Sequence, residues 1–352
     1  LTLKYRSCTK IEHGINFDID SIKLCCQYSA KGGGNTKVIE NYQGGPIDWD
    51  KFFAFKKEIK DLHKSGGLYH KCEGCIYLEE QDWEESDKFN FFNLDYWTYC
   101  NCNCIYCHTH NKKDIYNTKK NYDFLPILKD MIDKDLLMRD GDVSFGGGEV
   151  CLLKEFEECL KIFLDYGYFV RIHSGCMDYS DVIEQGLKMG KVDLIVSVDS
   201  GTEEMHARIK EVKTYDRVWG NLKRYAAVQQ NRELVKAKYI VIPGVNDTKE
   251  EVNAWLDKSK ECGIGYVLQE IESQWFYSRR ENIPQYIYDL FDYSKQRASD
   301  MGIIYGEYER AAHMLAERRE REAIKQSAEE KREAEARAMV AKVLNEDEHF
   351  GV

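Results

Sequence analysis

Between residues 89 and 272 the sequence alternates six short apolar runs with longer stretches of helical periodicity. This alternation limits the possible folds more than any other feature. The runs are FNFFNLDYW from Phe89, DVSFGG (142–147), YFVRIHS (168–174), DLIVSVD (193–199), AKYIVIP (237–243) and YVLQEIE (266–272). Each has the length and β-branched or aromatic content of a buried parallel strand. Between them lie LLKEFEECLKIFLDYG, SDVIEQGLKMG, YDRVWGNLKRYAAVQQN and TKEEVNAWLDKSKECG, all at helical spacing. Six βα repeats predict a parallel sheet, either doubly wound or a partial barrel.

The flanks differ. Residues 1–88 are irregular, with glycine-rich turns around one helical stretch, DWDKFFAFKKEIKDLHKSGG. Its Phe52, Phe53, Phe55, Ile59 and Leu62 recur at helical spacing, and Gly66-Gly67 supply a stop. This segment reads as too poor in strands to fold on apolar burial alone, so a metal staple is expected. Beyond about Tyr308 strong helix formers dominate, with no glycine or proline until Gly351. From Glu317 to Ala338 seven acidic and seven basic residues alternate, many spaced for i,i+4 pairing. A solvated charged helix is expected there, with a partner helix as the alternative. The three parts are residues 1–88, 89–307 and 308–352.

A net charge of −11 argues against a general nucleic-acid or anionic-membrane binder. No run of 18 apolar residues predicts a transmembrane helix, and LTLKYRSCTK lacks the apolar core of a signal peptide. A cytoplasmic location follows as the expectation. In a reducing compartment, clustered cysteines read as metal or cluster ligands rather than disulfides. Nine of the thirteen cysteines precede residue 110.

Four of them crowd into CNCNCIYC, and Cys100, Cys104 and Cys107 have the spacing C-x3-C-x2-C. Three thiolates on a loop leaving a strand suit three corners of a [4Fe–4S] cube, with one iron left open; a zinc knuckle is the bland alternative. With Tyr106 just before the last cysteine, the motif resembles the signature of the radical S-adenosylmethionine (SAM) superfamily. Downstream runs extend the resemblance over about residues 89–275. SFGGGEV matches the Gly-Gly-Glu motif at Gly147, Gly148 and Glu149, whose carboxylate receives the methionyl amine of SAM in the family. Ile172-His173-Ser174-Gly175 stands where many relatives have Thr-Asn-Gly, and Ser197-Val198-Asp199 looks like the S-x-D element. Ser174, Ser197 and Asp199 are thereby candidates for the SAM ribose or carboxylate. Lys210 stands where relatives commonly carry Arg, and Ile242 and Pro243 correspond to the strand lining the adenine.

The resemblance implies a partial (βα)6 TIM-like barrel with catalytic groups at the strand C-termini. It also implies reductive cleavage of SAM to a 5′-deoxyadenosyl radical that takes a hydrogen atom from substrate. Cys8, Cys25 or Cys26, Cys72 and Cys75 resemble the ligand set of Twitch and SPASM auxiliary domains, which hold a second [4Fe–4S] cluster. Such domains usually follow the barrel, and here the cysteines precede it; a four-cysteine zinc site is the alternative. Cys102 is expected to face away from the cluster. Cys176, after the third run, is a candidate hydrogen-atom donor. The implied partners are a peptide or small-molecule substrate and a reductant such as flavodoxin or ferredoxin. No winged-helix leader-binding domain is evident before Cys8, which counts against the usual peptide-tailoring case. A carbohydrate or small metabolite is the alternative substrate, and a non-catalytic zinc or iron–sulfur scaffold the alternative class.

Overall fold

The computed structural model describes residues 4–25, 36–75, 77–107 and 120–347. Its strands are β1 (Tyr5–Ser7), β2 (Gly14–Asp18), β3 (Ser21–Lys23), β4 (Lys37–Glu40), β5 (Glu79–Gln81) and β6 (Phe89–Asp95), then β7 (Leu137–Phe145), β8 (Phe169–Ser174), β9 (Val192–Ser197), β10 (Val235–Val241), β11 (Tyr266–Ile271) and β12 (Ile304–Glu307). The six predicted runs are β6 to β11. They lie side by side in chain order, every neighbouring pair parallel.

The sheet continues at both edges. β12 pairs in parallel with β11, and β2 pairs in parallel with β6, Gly14 opposite Phe91 and Asp18 opposite Asp95. β3 and β4 then add antiparallel. The order is β12-β11-β10-β9-β8-β7-β6-β2-β3-β4, an α/β sheet forming a partial TIM-like barrel whose edge strands do not close on each other.

Two expectations about the first 88 residues change accordingly. The boundary at residue 88 is crossed by the sheet, through the β2–β6 ladder. Nor is the segment dependent on a staple for burial: Ile11, Ile15, Phe17, Ile22, Trp49 and Phe52 belong to the same apolar core as the barrel. The short runs GINFD and SIK hid this, because five and three residues carry little periodicity. The helical stretch forms as expected over Trp49–Lys64. The Asp48 side chain accepts from the Lys51 amide at 3.0 Å, and Gly66 follows the helix at φ +87.

Alternation along the strands sorts side chains between helices and barrel interior. On β10, Val235, Ala237, Tyr239 and Val241 are fully buried, while Lys236 and Lys238 on the other face are half-buried. The helix Glu309–Asp347 docks through buried Ala311, Met314 and Leu315. Farther along it is exposed and laced by pairs such as Arg318–Glu322 at 2.7 Å, each worth about 0.3–0.5 kcal/mol. Among the described residues no helix is long and apolar enough to cross a membrane.

Candidate active site

The C-terminal ends of the barrel strands surround a cavity of about 330 Å³. Cys100, Cys104 and Cys107 line it, on the loop that leaves β6, and Gly147, Gly148 and Glu149 face them from the end of β7. Tyr106, Ser174, Ser197 and Lys210 complete the predicted residues found on its wall.

Each is held by the local chain. The cysteine loop lies along the end of the helix Glu203–Lys210: the Asn103 and Ile105 amides donate to the Lys210 and Ile209 carbonyls, both at 3.0 Å. Ile105 and Tyr106 pack on Ile209, Ile240 and Ile242. Glycine is required opposite the loop. Gly147 has φ +84, and a Cβ there would stand 2.7 Å from the Trp97 carbonyl oxygen. At Gly148 a Cβ would run into the Tyr99 carbonyl oxygen, with the Thr98 carbonyl carbon at 2.7 Å. Gly148→Ala is therefore expected to destabilise the chain by about 1–3 kcal/mol, as overpacking against backbone does. Chemical denaturation of the iron-free protein reads this, and an unchanged midpoint would show the loop free to move.

Glu149 is 2 % exposed. It accepts from Ser174 Oγ at 2.8 Å and the Gly175 amide at 2.6 Å. Burial raises its pKa, and those two donors work against the rise. A carboxylate has about four acceptor sites, so capacity for a ligand ammonium remains. Gly175 keeps the approach open, since a Cβ there would meet Glu149 Oε2 at 3.2 Å and Cys102 Sγ at 3.5 Å.

The last distance corrects one expectation. Cys102 does not face away; it lines the cavity, and its thiol bridges Cys100 and Cys104. Those hydrogen bonds raise the Cys102 pKa far above the usual thiol range. The same bonds lower Cys100, and bring Cys104 down to about 6 with help from the Lys210 ammonium. Thiolate character at Cys104 suits a metal ligand.

Asp199 and Cys176 are not on the cavity wall. Asp199 is fully buried, and its carboxylate is committed to three partners. It pairs with Lys210 Nζ, accepts from Tyr106 Oη at 2.6 Å and accepts from the Ile240 amide at 2.8 Å. Burial disfavours the Lys210 charge, but Asp199 and the neighbouring thiols outweigh it and raise the pKa. Cys176, 1 % exposed at φ +59, is turned beneath the wall and its amide donates to Ser174 Oγ at 2.8 Å. A hydrogen-atom donor must reach the cavity, and this thiol does not.

On β10 the wall is formed by Ile240 and Lys238; Ile242 and Pro243, beyond the strand, are not part of it. His173, Glu272, Ser273 and Arg310 also line the cavity without having been singled out. The available signal was parity, because Lys238 and Ile240 sit two apart on the inward face.

The early cysteines form a second group. Cys8 and Cys72 are buried, and Cys8, Cys72 and Cys75 lie close enough for their charges to interact. Burial raises the Cys8 thiol, and burial together with Cys8 and Cys75 pushes Cys72 up to about 12. Cys25 is half-buried after β3, and Cys26 lies outside the described residues. Among the described residues no three His, Cys, Asp or Glu side chains are gathered tightly enough for one metal ion. A cubane asks less, because each thiolate binds a different iron.

No curated protein matches the chain. Several solved structures resemble it at low identity. Streptococcus suis SuiB bound to precursor peptide SuiA is 14% identical with a TM-score of 0.48, the match covering 77% of this chain and 56% of that one. Native anSMEcpe with bound AdoMet is 16% identical (TM-score 0.45), covering 61% and 63%. A radical SAM methyltransferase from Sphaerobacter thermophilus is 12% identical (TM-score 0.41), covering 61% and 64%. The chain thus spans less than two thirds of each. Residues 96–256, from the end of β6 through the cysteine loop to the helix after β10, match the Radical SAM superfamily. This segment, which carries the cysteine triad and Glu149, is thus a radical SAM superfamily domain.

Proposed function

We propose that this chain is a radical SAM enzyme whose Cys100, Cys104 and Cys107 hold a [4Fe–4S] cluster with one iron left for SAM. The observation that carries this reading is the meeting of the three thiols with Glu149 in one cavity. The donor set fits: Cys104 is already biased toward thiolate, Gly147 and Gly148 let the end of β7 close on the cysteine loop, and Gly175 leaves room beside Glu149 and Cys102 that a Cβ would take. When bound, the reduced cluster and SAM supply an electron and a 5′-deoxyadenosyl radical for hydrogen-atom removal from substrate.

The chain's own residues bind and orient. Glu149 accepts from the SAM ammonium, with Ser174 and the Gly175 amide fixing its carboxylate. The Gly147–Gly148 backbone lets the methionyl group approach, Ser197 serves the ribose, and Ile240 gives the adenine an apolar wall. Asp199 acts as a positioning residue through Tyr106 and Lys210.

Cys8, Cys72 and Cys75, with Cys25 or Cys26, are proposed to hold a second [4Fe–4S] cluster of the Twitch or SPASM kind. Four thiolates would close its coordination, which leaves it an electron-relay or structural role. The substrate is proposed to be a peptide or protein, and the reductant a flavodoxin or ferredoxin.

Anaerobic reconstitution tests the reading. About eight irons per chain, absorbance near roughly 400 nm and dithionite-dependent 5′-deoxyadenosine are expected. Stoichiometric zinc with no SAM cleavage overturns it. Cys75→Ala is expected to keep SAM cleavage while impairing substrate turnover; loss of both together would make the second group purely structural.

A further inference from the structure

The cavity has a second wall, three to five strands away from Glu149 in the sheet order, to which β10 gives Lys238 and the segment after β12 gives Arg310. Lys238 is the unusual member. Among the described residues its ammonium has no hydrogen-bond or ion-pair partner, and it stands 5.2 Å from the centre of the Tyr308 ring. The neighbouring cations are committed elsewhere: Lys210 pairs with Asp199, and Arg310 with buried Glu270 at 3.3 Å and with Glu309 at 3.6 Å.

The carboxylates facing this wall are engaged as well. Glu272 accepts from the Gln274 and Trp275 amides at 2.8 and 2.7 Å. Glu270 accepts from the Ala311 amide at 3.0 Å, and burial raises it to about 7. His173 is kept neutral by burial and by Lys238, Arg171 and Lys236 nearby, its pKa brought down to about 3. Its Nε2 lies 3.4 Å from Tyr308 Oη. Burial works against the Lys238 charge, while Asp199, Glu270 and Glu309 favour it from a distance without pairing with it, so a bound anion would supply the direct contact its ammonium lacks.

We propose that Lys238, with Arg310 beside it, seats an anionic group of the substrate, a carboxylate or a phosphate, on the β10–β12 side of the cavity. The proposal rests on the radical SAM reading for what stands on the opposite side. A carboxylate here has two possible sources, SAM itself or a second molecule, and the seat is assigned to the second molecule. Glu149 and the cysteine loop, which would fix the methionyl end of SAM, are on the other wall.

The test uses the reconstituted full chain with saturating SAM, titrated with inorganic phosphate and separately with acetate by calorimetry. One phosphate per chain is expected, bound about ten-fold or more weakly in Lys238→Met and restored in Lys238→Arg, as the loss of one charge-assisted contact implies. SAM affinity by equilibrium dialysis should be the same in wild type and both variants. Three results overturn the seat: no anion binding, equal binding in wild type and Lys238→Met (an adventitious ion only), or a fall in SAM affinity in Lys238→Met, which would give the ammonium to the cofactor. Should Lys238→Met fail to fold, Arg310→Gln and Lys238→Arg carry the same comparison. Wild-type protein that binds phosphate yet forms no 5′-deoxyadenosine sinks the radical reading while supporting the anion seat.

Discussion

Cys104→Ala is expected to abolish SAM cleavage and to remove the site-differentiated cluster, lowering the iron content by about four atoms per chain. Cys102→Ala is expected to retain both. The two residues share a loop, a cavity and a hydrogen bond, so burial does not separate them. Spacing does: only Cys100, Cys104 and Cys107 match the C-x3-C-x2-C ligand pattern. Cys102 bridges its neighbours through a thiol proton, and iron would replace that proton as the partner of Cys100 and Cys104. Anaerobic iron and sulfide analysis with 5′-deoxyadenosine quantification distinguishes the variants. Equal loss in both would mean that Cys102 is itself a ligand and that the motif is read wrongly.

The second large effect concerns Asp199. Asp199→Ala removes the counter-ion of Lys210, whose side chain is 3 % exposed, and the acceptors for Tyr106 and the Ile240 amide. Leaving a buried charge unpaired costs about 3–5 kcal/mol. Chemical denaturation of the iron-free chain should show a loss of that size. The double variant Asp199→Ala/Lys210→Met should recover part of it, since the stranded charge is then gone. A loss below about 1 kcal/mol, the range of exposed pairs, would mean that water reaches the pair. Because Tyr106 precedes Cys107 directly and the loop lies on the Lys210 and Ile209 carbonyls, the single variant should also load iron more slowly.

How much of this was legible in the sequence depended on what each residue faces. The six strands β6 to β11 could be read because their outward residues, such as Val170 and Ile172 or Val235 and Ala237, are buried and apolar. The cysteine loop was picked out by its spacing, and Glu149 by the resemblance of SFGGGEV to the Gly-Gly-Glu motif. The rest of the lining was not, because Lys238, His173 and Arg310 are polar residues that in a linear sequence look like solvated surface. The barrel interior makes them cavity lining instead. Asp199 was singled out as a candidate contact to the SAM ribose or carboxylate, and only the fold reveals that both its oxygens are spent on protein partners. β2 was missed because its partner β6 lies more than seventy residues away in the chain, and pairing at that separation leaves no local pattern.

The β2–β6 ladder bears on how the two sulfur-rich regions can communicate. The strands run parallel, so their beginnings mark one pole of the barrel and their ends the other. Cys8 precedes β2, and Lys10 two residues on lies over the ring of Phe91 near the start of β6, its ammonium 5.0 Å from the ring centre. Cys100 leaves the far end of β6, and the four steps from Phe91 to Asp95 alone span about 13 Å. The early thiols therefore sit toward one pole while the cavity opens at the other, and a continuous hydrogen-bonded ladder sets the interval between them. A flexible hinge would let that interval vary; shared strands hold it constant. A group held by the early cysteines would be kept apart from a molecule in the cavity by that ladder.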